Sequence, residues 1–311
     1  MWDSPISKPI SKTDVLTTHA GAFGSWMRRR CAHLPSNADA PSSSPGSRNV
    51  AAIAYSLLPP GVMMTKLHLH QTRCQACPLK NHKIFRDVSD AEISFIEHFK
   101  TGEFVTDAGA TILAEGSNGA HLFTVLSGWA FRYKLLPDGR RQILSFVLPG
   151  EFLGLQSSMT AEMYHSVEAL TPMVLCVFPK NRLWTLYEKH PRLAFDLTWL
   201  ASSSERSLDE NLLSLGRRSA TEKVAFALLD VFERARQVGM TSGNRLKLPF
   251  TQQHLSDALG LSLVHTNKTL KALTARRLFR WKNGEFELLD EARMHDAASS
   301  EPSDATLRPL I

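Results

Sequence analysis

Long apolar runs are missing from this chain of 311 residues. The longest charge-free stretch near the front, Asn49 to Thr65, starts polar and is broken by Pro59 and Pro60, so it is too short for a spanning helix and no membrane partner is expected. It does not read as a secretory signal either, because a polar, Pro/Ser-rich stretch separates it from the first residue, and the expected location is the cytoplasm. Cysteine is scarce: Cys31, Cys74, Cys77 and Cys176 are too few for a disulfide scaffold and would be thiols or metal ligands in that compartment. Nothing marks a nucleophile beside a base, which argues against an enzyme. Residues 35–47, PSNADAPSSSPGS, lack a periodic apolar face. Residues 1–65 are therefore expected to be a disordered extension, with Met63 or Met64 the expected native start.

What remains is enough for two cores. The chain is 43% hydrophobic and 21% charged, and its net charge of +6 permits an anionic partner. Residues 66–190 are expected to form an antiparallel β-roll, because from about Phe104 to Pro179 short apolar runs alternate with glycine, and PDG at 137–139 reads as a hairpin turn. HPRLAFDLTWLASSSERSLDENLLSLG then reads as one long helix, assigned with its exit to 191–220. Leu193, Leu197, Leu200, Ser204, Leu208, Leu212 and Leu215 recur on it at spacings of three and four, a narrow seam expected to meet the same helix of a second copy.

The most specific stretch is TQQHLSDALGLSLVHTNKTLKALTARRLFRWKNGEFELLD, 251–290. Thr251 is a good N-cap with Phe250 able to staple against Leu255, Gly260 must end the first helix, and Ser262 caps a second running to about Arg277. Two short helices joined by a glycine turn, followed by strands flanking Asn283-Gly284, describe a winged helix-turn-helix, here assigned to 221–290. Between 245 and 282 eight basic residues face one acidic, Asp257, the electrostatic footprint of a phosphate-backbone binder. The tail from 291 to 311 is polar without a periodic face and is expected to be flexible.

Taken together, the order of parts from about Thr72 to Asp290 resembles the Crp/Fnr family of bacterial transcription regulators, most specifically at LPGEFLG (148–154) and TQQHLSDALGLS (251–262). The resemblance implies an α+β fold: a cyclic-nucleotide-binding-like β-roll, a dimerisation helix and a winged helix-turn-helix. It implies a homodimer that binds double-stranded DNA with two-fold-related half-sites, one recognition helix per subunit, and that contacts RNA polymerase. At the family's base-reading positions this chain has Val264, Asn267 and Lys268, preceded by Leu263. Asn267 can pair with adenine, Lys268 can reach guanine or phosphate, and Leu263 or Val264 can lie against thymine methyls or else pack under the helix. His265 and Lys271 are expected at phosphates, with Arg276, Arg277, Arg280 and Lys282 positioning the wing, and the helix-entry residues Thr251, Gln252 and Ser262 are also expected to be DNA-binding.

The sensor's input is left open. A cyclic-nucleotide cassette would begin at Gly150-Glu151, but where the family has a ribose-binding Glu and a phosphate-binding Arg this chain has Leu155 and His165, followed by Ser166, which argues against cyclic AMP. Cys74, Cys77 and Cys176 match three ligands of the family's iron-sulfur branch, whereas the fourth position is Lys83, leaving only His82 one residue away. Zinc could draw on Cys74 and Cys77 with His68, His70 or His82, although the spacing fits no known zinc module. Neither a cluster nor zinc is expected, and the cofactor is unknown. The alternative to a regulator is a metal- or ligand-binding β-barrel of cupin type, or a cyclic-nucleotide-binding module without a transcriptional role. The cupin case is disfavoured because the only His-x-His pair, His68 and His70, precedes the barrel.

Overall fold

Capping residues and turn glycines set where the elements begin and end in the computed structural model, which describes residues 72–302 and 306–311. The expected extension, the Met63 or Met64 start, and His68 and His70 lie outside the described residues.

A lead of short 3-10 turns over Cys74–Ala76 and Pro78–Asn81 precedes α1 (Asp90–Phe99), which starts at a reciprocal Ser89/Glu92 capping box. Then follow β1 (Gly102–Thr106), β2 (Thr111–Leu113), β3 (His121–Ser127), β4 (Ala130–Leu135), β5 (Arg141–Val147) and β6 (Phe152–Leu153). After α2 (Leu155–Thr160) come β7 (Ser166–Ala169) and β8 (Met173–Pro179). These strands form two antiparallel sheets, β1-β8-β3-β6 and β2-β7-β4-β5, whose inner faces pack Val125, Ala130, Val147, Val167 and Leu175 with almost no exposure. The hairpin at Pro137-Asp138-Gly139 joins β4 to β5 as expected.

From α3 (Leu183–Lys189) the chain enters α4 (Pro191–Arg217), with Pro191 in its first turn, where a missing N–H costs nothing. Arg86 in the lead pairs with Asp196 on α4 and Glu92 on α1, pinning the start of the long helix to the roll. α5 (Ala220–Gln237) opens with a second capping box, Ser219/Glu222, and buries Val224, Leu228, Leu229, Val231 and Phe232. The C-terminal half continues with β9 (Thr241–Ser242), β10 (Arg245–Lys247), α6 (Gln252–Leu259), α7 (Leu263–Ala275), β11 (Phe279–Lys282) and β12 (Glu285–Leu288). Its sheet order is β11-β12-β10-β9, with Lys282 paired to Glu285 across a turn whose Asn283 and Gly284 both have positive φ, as a type I′ turn requires.

Phe250 stacks on Phe146 of the roll at 4.2 Å and meets Trp281 edge-on, with Leu255 buried in the same core. Two expectations need correction. The seam on α4 divides: Leu193, Leu197 and Leu200 are buried in their own chain, whereas Leu208, Leu212 and Leu215 are exposed. The region from 291 onward, expected to be flexible, forms α8 (Glu291–Ala298), capped by Asp290 and anchored by buried Met294, Ala297 and Ala298. Beyond it Arg308 pairs with the lead through Ile84 and Arg86, and Leu310 and Ile311 are buried. Apolar anchors spaced too widely for a sequence period, plus backbone pairing to a distant segment, order this tail.

Candidate functional site

Thr251 caps α6 through the backbone N–H of His254, and Ser262 caps α7 through that of His265, so both hydroxyls are used in starting helices. Between them Gly260 sits in the left-handed region at φ 61, where a side chain would be strained, and turns the chain tightly enough to cross the two helices. Thr266, Thr269, Leu270 and Leu273 form the inward stripe of α7, a spacing of three and four that leaves the other face free. That free face carries Leu263, Val264, His265, Lys268 and Lys271, all exposed. Leu263 is 39% and Val264 80% exposed, so the choice left open for them falls to the surface, where an apolar side chain has no protein to pack on.

Asn267 is placed less simply. It is half-buried, and its Oδ1 is enclosed without a hydrogen-bond partner, so a bidentate contact with adenine requires the side chain to turn outward. On the wing, Arg280 pairs with Glu287 at 3.0 Å, and Arg245 reaches Glu287 and Glu285 at 3.2 and 3.4 Å. These glutamates lie just past the basic stretch and neutralise two of its eight charges. Gln252, Arg276, Arg277 and Lys282 are exposed, with no salt bridge among the described residues.

The segment at Gly150-Glu151 faces an arginine that the motif did not mark. Arg132 on β4 is largely buried, has an Nε without a partner, and approaches Glu151 to 3.6 Å. The same carboxylate receives Arg234 of α5 at 2.5 Å, and Arg234 also donates to the Phe146 carbonyl at 2.6 Å and to Asp230 at 3.1 Å. Burial by itself would raise the Glu151 carboxyl, but Arg234, Arg132 and Arg308 hold it below its ordinary value. Burial, with Arg132 adding to it, lowers His165 to about 4, so its imidazole is neutral near pH 7 and cannot stand in for a phosphate-binding guanidinium. A β-carbon on Gly150 would stand 2.3 Å from the Phe85 ring, so the lead covers the cassette's entry. Ser166 accepts from the Glu115 N–H, and Leu155 is half-buried at the start of α2. The cue for Arg132 was a cationic residue inside an otherwise barrel-forming strand, FRYKL, which alternation alone does not mark.

Cys74, Cys77 and Cys176 converge although a hundred residues separate them. They line one apolar cavity of about 40 Å³, together with Thr124, Leu310 and Ile311, and the Thr124 hydroxyl donates to the Ile311 carbonyl. Burial pushes the Cys176 thiol up to about 12 and raises Cys74 too, with Lys100 offsetting only part in each case. His82 is not with them. Its ring lies against Gly239 after α5, and Lys83 is exposed, so neither joins the thiols.

Roll and reader meet along β5. Arg141 bonds Asp257 of α6 at 2.9 Å, Gln142 donates to the Ala258 carbonyl at 3.0 Å, and the Phe131 and His254 rings stand 5.3 Å apart.

The chain matches the cyclic nucleotide-binding domain over residues 103–190 and the Crp-like helix-turn-helix domain over 222–297. It is 31% identical to the nitrogen fixation regulation protein FixK of Bradyrhizobium diazoefficiens over 241 residues, covering 78% of this chain and 99% of that protein. The chain belongs to the Crp/Fnr family. Within that family it is also 32% identical to the transcriptional activatory protein AadR of Rhodopseudomonas palustris over 58% of this chain and 74% of that one. The structure of FixK2 from Bradyrhizobium japonicum superposes with a TM-score of 0.59 at 26% identity, covering 66% of this chain and 99% of the other. The Crp/Fnr assignment makes the chain a helix-turn-helix transcription regulator and not an enzyme, and sets aside the cupin alternative. Among the described residues no helix is long and apolar enough to cross a membrane.

Proposed function

We propose that this Crp/Fnr regulator acts as a homodimer that lays one α7 per subunit in successive major grooves of a two-fold-related DNA site and contacts RNA polymerase from the cytoplasm. The observation that carries it is the composition of the free face of α7: two exposed apolar residues at its first turn, followed by exposed Lys268 and Lys271. Apolar tips suit thymine methyls and the lysines suit guanine edges and phosphates, whereas a structural hairpin would have no use for bare Leu263 and Val264. The exposed leucines on the second half of α4 supply a face for the partner helix.

The effector acts through Glu151 on this reading. The carboxylate joins the cassette to Arg234, one helix away from α6, so anything that draws Arg132 or Arg234 from it changes how the reader sits on β5. Cyclic AMP does not suit the pocket, since Leu155 and neutral His165 replace the groups it needs. A four-iron cluster does not suit the lead. Three thiols, two raised by burial, face an apolar cavity with Leu310 and Ile311 on its wall, and among the described residues lining it there is no fourth ligand. The cysteines serve as packing and as thiols.

The test is selection of bound sequences from random duplex DNA by the full chain, followed by affinity and stoichiometry on the winner. Recovery of inverted repeats spaced about one helical turn, bound by two chains, is the expected result. Asymmetric sites bound by one chain, or no enrichment above random DNA, would remove the reading.

A further inference from the structure

A polar trio joins α5 to α8. Glu233 on α5 and Glu291 and His295 on α8 form a set whose ligand atoms all lie within 4.8 Å of one another. Glu291 and His295 are four residues apart and share one face of α8, and Glu233 meets them from α5, on which α8 packs.

His295 supplies the independent pointer. Its side chain is only 8% exposed, and its Nε2 stands 3.2 Å from Oε1 of Glu233 yet has no hydrogen-bond partner. Its other nitrogen, Nδ1, lies 3.2 Å from the Ser300 hydroxyl. The tautomer that donates from Nδ1 to that hydroxyl turns the Nε2 lone pair toward two carboxylates, the arrangement in which an outer hydroxyl or carbonyl orients a metal-binding imidazole. In that tautomer three electron-pair donors converge on one small space, an arrangement that a bound cation relieves, as a proton shared by His295 and Glu233 also would. Arg236 binds both oxygens of Glu291, at 2.8 and 2.9 Å, holding that carboxylate in place while each oxygen keeps a second lone pair.

We propose that Glu233, Glu291 and His295 bind one zinc ion that clamps α8 to α5. One imidazole with two carboxylates favours a first-row transition ion over magnesium or calcium, which prefer all-oxygen shells, and three protein ligands leave a fourth position for water. The site stands apart from the DNA-reading proposal and does not depend on it. Its consequence is mechanical: α8 leads into the tail that pairs with Ile84 and Arg86, so the ion fixes the root of the segment that reaches the cysteine cavity.

The test uses the full chain, stripped of metal, with the Cys31→Ser, Cys74→Ser, Cys77→Ser and Cys176→Ser substitutions made together so that thiols contribute nothing. Titration with zinc, followed by calorimetry, and with cobalt, followed by its visible absorption, should show one ion per chain. Bound zinc in hundredfold excess over its Kd should raise the thermal midpoint by about 5 °C. His295→Gln should weaken binding by more than about tenfold, and so should Ser300→Ala, which leaves the ligand itself intact. Each variant's metal-free midpoint separates lost ligation from lost folding. No uptake, or uptake unchanged in both variants, overturns the site and leaves His295 and Glu233 as an ion pair.

Discussion

Val264, 80% exposed in the first turn of a capped helix, shows how much of this protein's chemistry is decided one side chain at a time. Its neighbour Asn267 keeps one end of its amide enclosed, so it can meet a base only when the side chain turns. Asn267→Ala is expected to relax specificity at one base-pair position by about 1–3 kcal/mol, while Lys271→Ala weakens all sequences alike and lowers the salt slope by about 1. Affinities on the selected site, its single-position variants and random duplex separate the two, and equal losses on all three for the asparagine variant would refute its role. Glu151 is the other decisive residue. Burial opposes its charge, but three arginines hold the carboxyl below its ordinary value, so the stability it contributes is complete above the unfolded carboxylate range and is lost as pH falls through the lowered folded value. Glu151→Gln leaves buried Arg132 without its carboxylate and Arg234 with Asp230 alone, and is expected to cost roughly 3–5 kcal/mol at pH 7. Urea unfolding at pH 7 and pH 3 should show the gap between wild type and variant narrowing in acid, and a constant gap would contradict the assignment.

At the scale of elements, α4 is one helix with two surroundings. Its first half packs Leu193, Leu197 and Leu200 into the roll, while its second half carries Leu208 at 50% and Leu212 at 70% exposure. Burying such leucines stabilises by roughly 1.5–3 kcal/mol each, a strong incentive for a second copy. Replacing Leu208 and Leu212 with lysine is therefore expected to give monomers in sedimentation velocity. It should also cut affinity for a two-fold site by about a hundredfold or more, because the second reader is no longer held nearby. A double variant that stays dimeric would place the interface elsewhere. The regular spacing made the seam legible; which half of it meets its own roll was not, because that depends on where Arg86 anchors the helix. The helix-turn-helix was more legible still. Caps, the left-handed glycine and the Asn-Gly turn act within four residues of themselves, and all were found where local chemistry puts them.

For the whole molecule, the segment 306–311 joins parts that lie far apart in sequence. It runs beside Phe85, accepts the Thr124 hydroxyl and places Leu310 and Ile311 against the cavity of Cys74, Cys77 and Cys176. Deleting residues 306–311 is expected to uncover that cavity and to speed the reaction of Cys74 and Cys176 with a thiol-specific reagent severalfold, while α7 and the wing still bind DNA. Unchanged thiol reactivity would mean that the segment does not guard the cysteines. The same scale holds the contact between β5 and α6, where Arg141, Gln142 and Phe146 of the roll meet Asp257, Ala258 and Phe250 of the reader. It joins the roll directly to α6, the helix before α7.

Local chemistry determined the order of parts, the helix boundaries, the wing and the basic reading face, because capping, turn conformation and apolar period all act over a few residues. Tertiary structure alone decided the rest. It brought Arg132 and Arg234 to Glu151, took His82 away from the cysteines, ordered a polar tail into α8 and a cavity wall, and set the Glu233, Glu291 and His295 donors together. Each of those outcomes depends on burial and charge pairing between residues tens to more than a hundred positions apart, and no period or motif within one stretch records which distant partner a side chain will meet.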